Sequence, residues 1–216
     1  MSLPISLNNL FELDKVQEKQ FESLDAIYRE WNGKVNLISR KDIDNLYLHH
    51  VLHSLAIAKV LSFVNNTTIL DVGTGGGFPG IPLAILFPYC QFVLIDSIEK
   101  KIKAVMDIVS QVKLSNVECR RERAEEEKEK FDFIVSRAAM SMSNLHRLCQ
   151  KNVSDKHKNA MPNGFFILKG GNINAEIEPF KNISEVFPIQ NLFDDSRFDD
   201  KYVIYVPSST NLRKKK

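Results

Sequence analysis

The chain has 216 residues, 44% of them hydrophobic and 26% charged, and its 29 basic and 27 acidic side chains leave a net charge of +2. That length suits one domain with room for an appendage, and the composition excludes a disordered chain, a collagen-like repeat and a disulfide mini-scaffold. A near-neutral total neither requires nor forbids a nucleic-acid partner, because the placement of charge decides that.

Residues 6–31 read as a helix, with Phe21, Leu24, Tyr28 and Trp31 three and four apart on one face. Asn32-Gly33 reads as its stop, since both residues tolerate a left-handed backbone. A second helical stretch runs from about Asp42 to Phe63, with Leu46, Leu48, Val51, Leu52, Leu55, Val60 and Leu61 as its apolar side. Residues 1–64 therefore read as a helical N-terminal extension.

The pattern changes at Thr67. A β-branched run to Val72 predicts a strand, and five glycines follow between Gly73 and Gly80. Residues 81–87 read as a short helix ended by Pro88, 91–96 as a strand and 99–114 as a helix. Strands are expected over 117–123, 131–135 and 164–168, with a helix over 141–153 between the last two. The polar segment Ser154–Pro162 reads as a long loop, and part of 183–193 and then 202–206 offer two more strands. Alternating strands and helices predict a parallel α/β sheet covered on both faces over residues 65–207. The last two strands are too close for a crossover helix, so the final strand is expected to be antiparallel. Residues 208–216 form a tail ending in the basic run Arg213–Lys216, for which solvation is the plainer reading.

Cys90, Cys119 and Cys149 are odd in number and form no Cys-x-x-Cys pair, which argues against a zinc ribbon or a disulfide framework and for reduced thiols. The first six residues lack a basic segment followed by an apolar run. No apolar stretch approaches the ~18 residues of a membrane span. A soluble cytoplasmic protein, monomeric and without a metal, is expected.

In an open parallel sheet, ligands bind at the carboxyl ends of the strands. The turn Asp71-Val-Gly-Thr-Gly-Gly-Gly-Phe-Pro-Gly80 falls there, and Gly75, Gly77 and Gly80 match the dinucleotide fingerprint Gly-x-Gly-x-x-Gly. Asp71 argues against that match. A carboxylate beside the helix N-terminus repels a pyrophosphate but suits a ligand with a positive end and no phosphate, such as S-adenosylmethionine. Asp96, 16 residues past Gly80, can accept both hydroxyls of a ribose. Ala124 and Glu125 follow the third strand, where an adenine would lie; a solvated charged run is the plainer reading of Glu125.

The order of these motifs resembles the RsmG (GidB) family of bacterial 16S rRNA guanine-N7 methyltransferases. The resemblance rests on the glycine turn with Gly-Phe-Pro-Gly-Ile-Pro82, Leu94-Ile-Asp-Ser97, Arg123-Ala-Glu125, Ser136-Arg-Ala138 and Leu168-Lys-Gly170, with Trp31-Asn32, Asn36-Leu37 and His50 ahead of them. It covers about residues 20–206. It implies a class I, Rossmann-like methyltransferase fold with seven strands. It also implies S-adenosylmethionine as cofactor, held by Asp71, Gly73, Gly75, Phe78, Asp96, Ala124, Glu125 and Arg137. The implied substrate is a guanine in a loop of 16S rRNA or of the small ribosomal subunit. One departure stands out: His53 occupies a place where the family usually carries Asp.

Arg137 and Lys169 each follow a strand at the active edge and are the candidates for the catalytic centre, beside the base or its phosphate; for Lys169 a surface lysine is an equal reading. Arg40, Lys41, Arg120, Arg121, Arg147, Lys201 and the tail are candidate RNA-contacting cations, with solubility as their plainer role. A methyltransferase of small molecules or proteins is the alternative in the same class. A nicotinamide oxidoreductase and a ligand-free structural protein are the alternatives outside it.

Overall fold

A computed structural model describes residues 7–137 and 139–208. A 3-10 turn (Leu7–Asn9) precedes α1 (Lys15–Lys34). A second 3-10 turn (Ile43–Asn45), a π-helical segment (Leu46–Leu52) and α2 (His53–Val60) follow. Then come β1 (Thr68–Val72), α3 (Gly80–Leu86), β2 (Gln91–Asp96), α4 (Glu99–Val112), β3 (Val117–Arg121), β4 (Phe133–Arg137), α5 (Met142–Cys149) and β5 (Gly164–Gly170). The chain continues through α6 (Asn174–Ile177), β6 (Glu185–Pro188), α7 (Ile189–Phe193) and β7 (Lys201–Pro207).

The seven strands form one sheet in the order β3-β2-β1-β4-β5-β7-β6. The pairs β1–β2, β1–β4, β2–β3 and β4–β5 are parallel, whereas β7 runs antiparallel to both β5 and β6. The expected sheet, with its antiparallel final strand, is therefore present. Side chains alternate between the faces, as the strand period requires. Ile69, Phe92, Leu94, Phe133 and Phe166 pack on one face with Phe21, Leu24, Tyr28, Val51 and Leu55 from the N-terminal helices. Leu70, Val93, Ile134, Phe165 and Ile204 pack on the other with Met142, Leu145 and Phe180.

Several boundaries differ from the sequence reading, each for a local reason. The first helix begins at Lys15 because Asp14 caps it: the Asp14 carboxylate accepts from Gln17 N at 2.9 Å, and the Gln17 side chain accepts from Asp14 N at 2.9 Å. It also runs through Asn32-Gly33 to Lys34. Asn32 is buried and does not turn the chain left-handed; its side-chain oxygen accepts from Leu37 N at 2.9 Å and Ile38 N at 3.0 Å, folding the departing chain back. The second stretch is not one α-helix but a 3-10, a π and an α segment in series. The segment 183–193 divides into β6 and α7. Ser154–Pro162 holds no regular element and is tied down by Lys158, whose ammonium lies 2.9 Å from the Asp132 carboxylate. The Met1–Ser6 segment, Ala138 and the basic tail lie outside the described residues.

Side-chain bonds tie the helices before β1 to α3, α4 and the glycine turn. Gln17 Nε2 donates to the carbonyls of Ile85 and Leu86 at 3.0 and 3.1 Å. Trp31 Nε1 donates to Asp107 at 2.7 Å. The Tyr28 hydroxyl donates to the Gly76 carbonyl at 2.7 Å, so α1 grips the glycine turn itself.

Candidate active site

The carboxyl ends of β1, β2 and β4 open into a cleft of about 490 Å³, within the size range of sites for small ligands. Gly73, Gly75, Phe78, Asp96, Ala124, Glu125 and Arg137 all line it. Glu122, Lys101 and Met140 line it too and were not singled out from the sequence. Its charged lining is thus mixed in sign.

Asp71 does not line the cleft. It lies fully buried beneath the turn. One oxygen, Oδ2, accepts from the Thr74 hydroxyl at 2.7 Å and from Gly80 N at 2.8 Å. The carboxylate therefore occupies the N-terminus of α3, where a pyrophosphate would otherwise bind, and the dinucleotide match at Gly75, Gly77 and Gly80 loses its anion site. The other oxygen, Oδ1, is buried without a partner among the described residues. Burial pushes the Asp71 carboxyl up to about 7, against the pull of its two donors and Arg137.

The turn above it has little freedom. Gly73, Gly75 and Gly77 have φ of +67°, +60° and +89°, the left-handed region that glycine reaches without a Cβ clash. At Gly80 a Cβ would sit 2.8 Å from Asp71 Oδ2 and 2.8 Å from the Leu94 side chain.

Asp96 occupies the rim. Its Oδ2 accepts from Gly75 N at 3.0 Å and its Oδ1 from Ile98 N at 2.9 Å. A carboxylate offers about four lone-pair directions, so each oxygen keeps one for a ligand. A vicinal diol such as that of a ribose fits this cradle, and S-adenosylmethionine carries one. Ala124 and Glu125 line the same cleft beyond β3, the first buried and the second exposed.

On the far wall, Arg137 ends β4. Its guanidinium lies 4.9 Å from the centroid of the buried Phe78 ring and donates to His50 Nδ1 at 3.0 Å and to the His49 carbonyl at 3.3 Å. Burial lowers it to about 10, which leaves it charged at neutral pH. The Ser136 hydroxyl donates to the Val72 carbonyl at 2.8 Å and fixes the end of β4 against β1. His50 in turn meets Asp42 Oδ2 through Nε2 at 2.8 Å. The sequence marks Asp42 only as the start of a helical stretch and not as a partner of His50, because the 3-10 and π turns that bring it there have no periodicity of their own.

The remaining candidates are more dispersed. Lys169 ends β5 just outside the cleft lining, where its ammonium meets Glu176 at 2.8 Å and the carbonyl of Met140, a lining residue, at 2.9 Å. Arg121 pairs with Glu99 at 3.2 Å, Arg120 with Glu118 at 2.6 Å, and Lys201 with Asp200. Arg40 and Lys41 are exposed on the segment entering the π helix. His53 is buried, and its Nε2 has no partner among the described residues. Burial, with the nearby Arg137, pushes it down to about 3, so the ring is neutral. Cys90 and Cys149 are buried free thiols and Cys119 is a half-buried one. No helix among the described residues is long and apolar enough to cross a membrane.

Solved structures share this fold. A S-adenosylmethionine-dependent methyltransferase from Aquifex aeolicus superposes with a TM-score of 0.56 at 15% identity, over 78% of this chain and 98% of that one. A Thermus thermophilus 16S rRNA N2 G1207 methyltransferase, solved with S-adenosylmethionine and guanosine, gives 0.54 at 14% identity, over 73% of this chain and 42% of that one. Sequence relatives are much nearer. The small-subunit rRNA methyltransferase G of Bacteroides thetaiotaomicron is 50% identical over 94% of this chain and 98% of its own. That of Phocaeicola vulgatus is 52% identical over 91% and 94%. Residues 17–193 match the GidB model, described as rRNA small subunit methyltransferase G. With that match across most of its length, the chain belongs to the rRNA small subunit methyltransferase G family.

Proposed function

We propose that this protein transfers the methyl group of S-adenosylmethionine to the 7-nitrogen of one guanine in a loop of 16S rRNA. The observation that carries the reading is the Asp96 cradle, a carboxylate anchored by two backbone amides with lone pairs left over at the rim of the cleft, in a chain of this family.

When bound, S-adenosylmethionine supplies a methyl group activated on a sulfonium. Asp96 would hold its ribose, Gly73 and Gly75 would let the backbone approach it closely, and Ala124 and Glu125 would meet the adenine edge. Phe78 would close the wall opposite. The 7-nitrogen of guanine carries an in-plane lone pair and no proton, so its attack requires no general base. The residues of the cleft then act by alignment, which can contribute on the order of 7–11 kcal/mol. Arg137 would orient the base or its phosphate with the donors that His49 and His50 leave free. In A-form RNA the edge bearing the 7-nitrogen faces a deep, narrow groove, so the target base must be in a loop or splayed out. Arg40, Arg121, Lys169 and Lys201 are candidate phosphate contacts, and Lys169 donates to the carbonyl of Met140, which lines the cleft.

The test is methyl transfer from labelled S-adenosylmethionine, to small ribosomal subunits from cells lacking the modification and, in parallel, to protein-free 16S rRNA. Label in 7-methylguanosine after nuclease digestion is the expected result. No label in either substrate, with cofactor binding intact, would overturn the reading in favour of a small-molecule or protein methyltransferase.

A further inference from the structure

Arg137 is a half-buried cation at the wall of the cleft with an unusual set of neighbours. Its side-chain partners are a carbonyl and an imidazole. The nearest carboxylate in the chain of bonds, Asp42, stands one residue further out, behind His50. A guanidinium carries five donors and no acceptor. The 3.0 Å contact with His50 Nδ1 therefore requires that nitrogen to be the acceptor. The ring proton must then sit on Nε2, where it is donated to Asp42 Oδ2 at 2.8 Å. His49 reaches the other oxygen of Asp42 through Nδ1 at 2.7 Å, so both carboxylate oxygens are engaged. Burial and the nearby Arg137 disfavour a proton on both His50 nitrogens, in keeping with the geometry.

This arrangement separates two tasks. A direct Arg–carboxylate pair would fix the guanidinium but use two of its donors and offset its charge. With a neutral imidazole between them, the carboxylate fixes the tautomer, the tautomer fixes the guanidinium, and the positive charge stays available to the cleft. We propose that Asp42 and His50 form a positioning relay that holds Arg137 across Phe78 through the Nε2–H tautomer of His50. Asp42 and His50 are positioning residues, and Arg137 is the group facing substrate. The inference rests on the proposed rRNA methyl transfer only for what Arg137 does once positioned.

The relay is tested on the full-length protein. A long-range nitrogen–proton correlation spectrum of the imidazoles is expected to show His50 as the neutral Nε2–H tautomer at pH 7.5. In the Asp42→Asn protein that tautomer is no longer enforced, because an amide can turn its NH2 toward Nε2. Turnover on 16S rRNA is expected to fall about tenfold or more as Arg137 loses its fixed orientation. The Kd for S-adenosylmethionine should stay within about twofold and the Tm within a few degrees, since Asp42 lies near the surface. His50→Asn, whose side-chain oxygen can replace Nδ1 as acceptor, should retain more turnover than His50→Phe, which keeps the ring packing against Phe78 but no polar contact. An Nδ1–H tautomer or an imidazolium in the wild-type spectrum would overturn the relay. So would wild-type turnover in Asp42→Asn, or turnover that follows Tm alone across the three variants. The spectrum decides the relay even if the wild-type protein transfers no methyl to rRNA, a result that would count against the proposed function instead.

Discussion

Two aspartates close neighbouring strands at the same edge of the sheet, and they do different things. Asp71 pairs in register with Leu94, and Asp96 stands two residues beyond Leu94 on the same strand. Two residues is one pleat repeat, about 6.6 Å along a strand. That step carries the side chain from beneath the glycine turn to its rim. Asp71 is sealed in, with its one bonded oxygen engaged inside the turn. Asp96 is anchored by Gly75 N and Ile98 N and still faces the cleft. The same residue type thus builds the site in one place and offers itself to a ligand in the other. The lesson is that an acid beside a glycine turn is assigned by depth, which a one-dimensional pattern does not contain.

The comparison breaks first at Asp96. Asp96→Ala removes the acceptor of two backbone amides and, on the proposed function, of the ribose, bonds worth about 1.5–3 kcal/mol each when charge-assisted. Calorimetry should show S-adenosylmethionine binding weakened by two orders of magnitude or more. An affinity within a factor of three of wild type would remove Asp96 from the site. Asp71→Ala should act on stability before binding. It leaves the Thr74 hydroxyl and Gly80 N buried without an acceptor, at about 1–3 kcal/mol each, partly offset because a carboxyl disfavoured by burial is removed. Chemical denaturation should show a net loss of about 2–4 kcal/mol. Unchanged stability with lost binding would mean that Asp71 touches the ligand after all. Gly80→Ala presses on the same carboxylate from the other side, since its Cβ would meet Asp71 Oδ2 and Leu94 at 2.8 Å. A loss of about 1–3 kcal/mol is expected, as for other overpacked positions. A fully stable variant would show that the turn can give way.

These expectations separate what the chain's pattern exposed from what it hid. The sheet, its antiparallel last strand and the place of the cleft follow from period-two apolar runs, turn glycines and connection lengths, all of which are local signals. Gly73, Gly75, Phe78, Asp96, Ala124, Glu125 and Arg137 line the cleft because each ends a strand or sits in the turn after one. Asp42 was read only as the start of a helical stretch, because the 3-10 and π turns ahead of α2 interrupt the helical period that would have placed it against His50. Asp71 was legible as a residue of the site but not by depth, and Asn32 as a helix end but not as the side chain that caps the next turn. Each of these depends on contacts between segments distant in sequence or on unusual local winding.

The gentlest test of the two-aspartate comparison is titration. With its carboxyl pushed up to about 7 from 3.8, Asp71 holds a proton in the folded chain that it lacks in the unfolded chain between those values. Stability from that group is therefore present below pH 3.8 and is lost as the pH rises toward 7. His50 and His53 act in the opposite sense. Burial lowers them to about 4 and about 3 from 6.5, so the unfolded chain takes up protons that the folded chain refuses, and stability is lost as the pH falls below 6.5. Between about pH 4 and 6.5 Asp71 offsets only one of the two histidines, so wild-type stability should still rise with pH, by about 1 kcal/mol per pH unit. Asp71→Asn keeps an acceptor for Thr74 and Gly80 while removing the titration. Its unfolding free energy should then rise with pH across that window more steeply than the wild type's, by about 1 kcal/mol per pH unit. Parallel profiles for the wild type and Asp71→Asn would mean that Asp71 is ionised throughout, and that the Thr74 hydroxyl and Gly80 N suffice to hold a full charge beneath the turn.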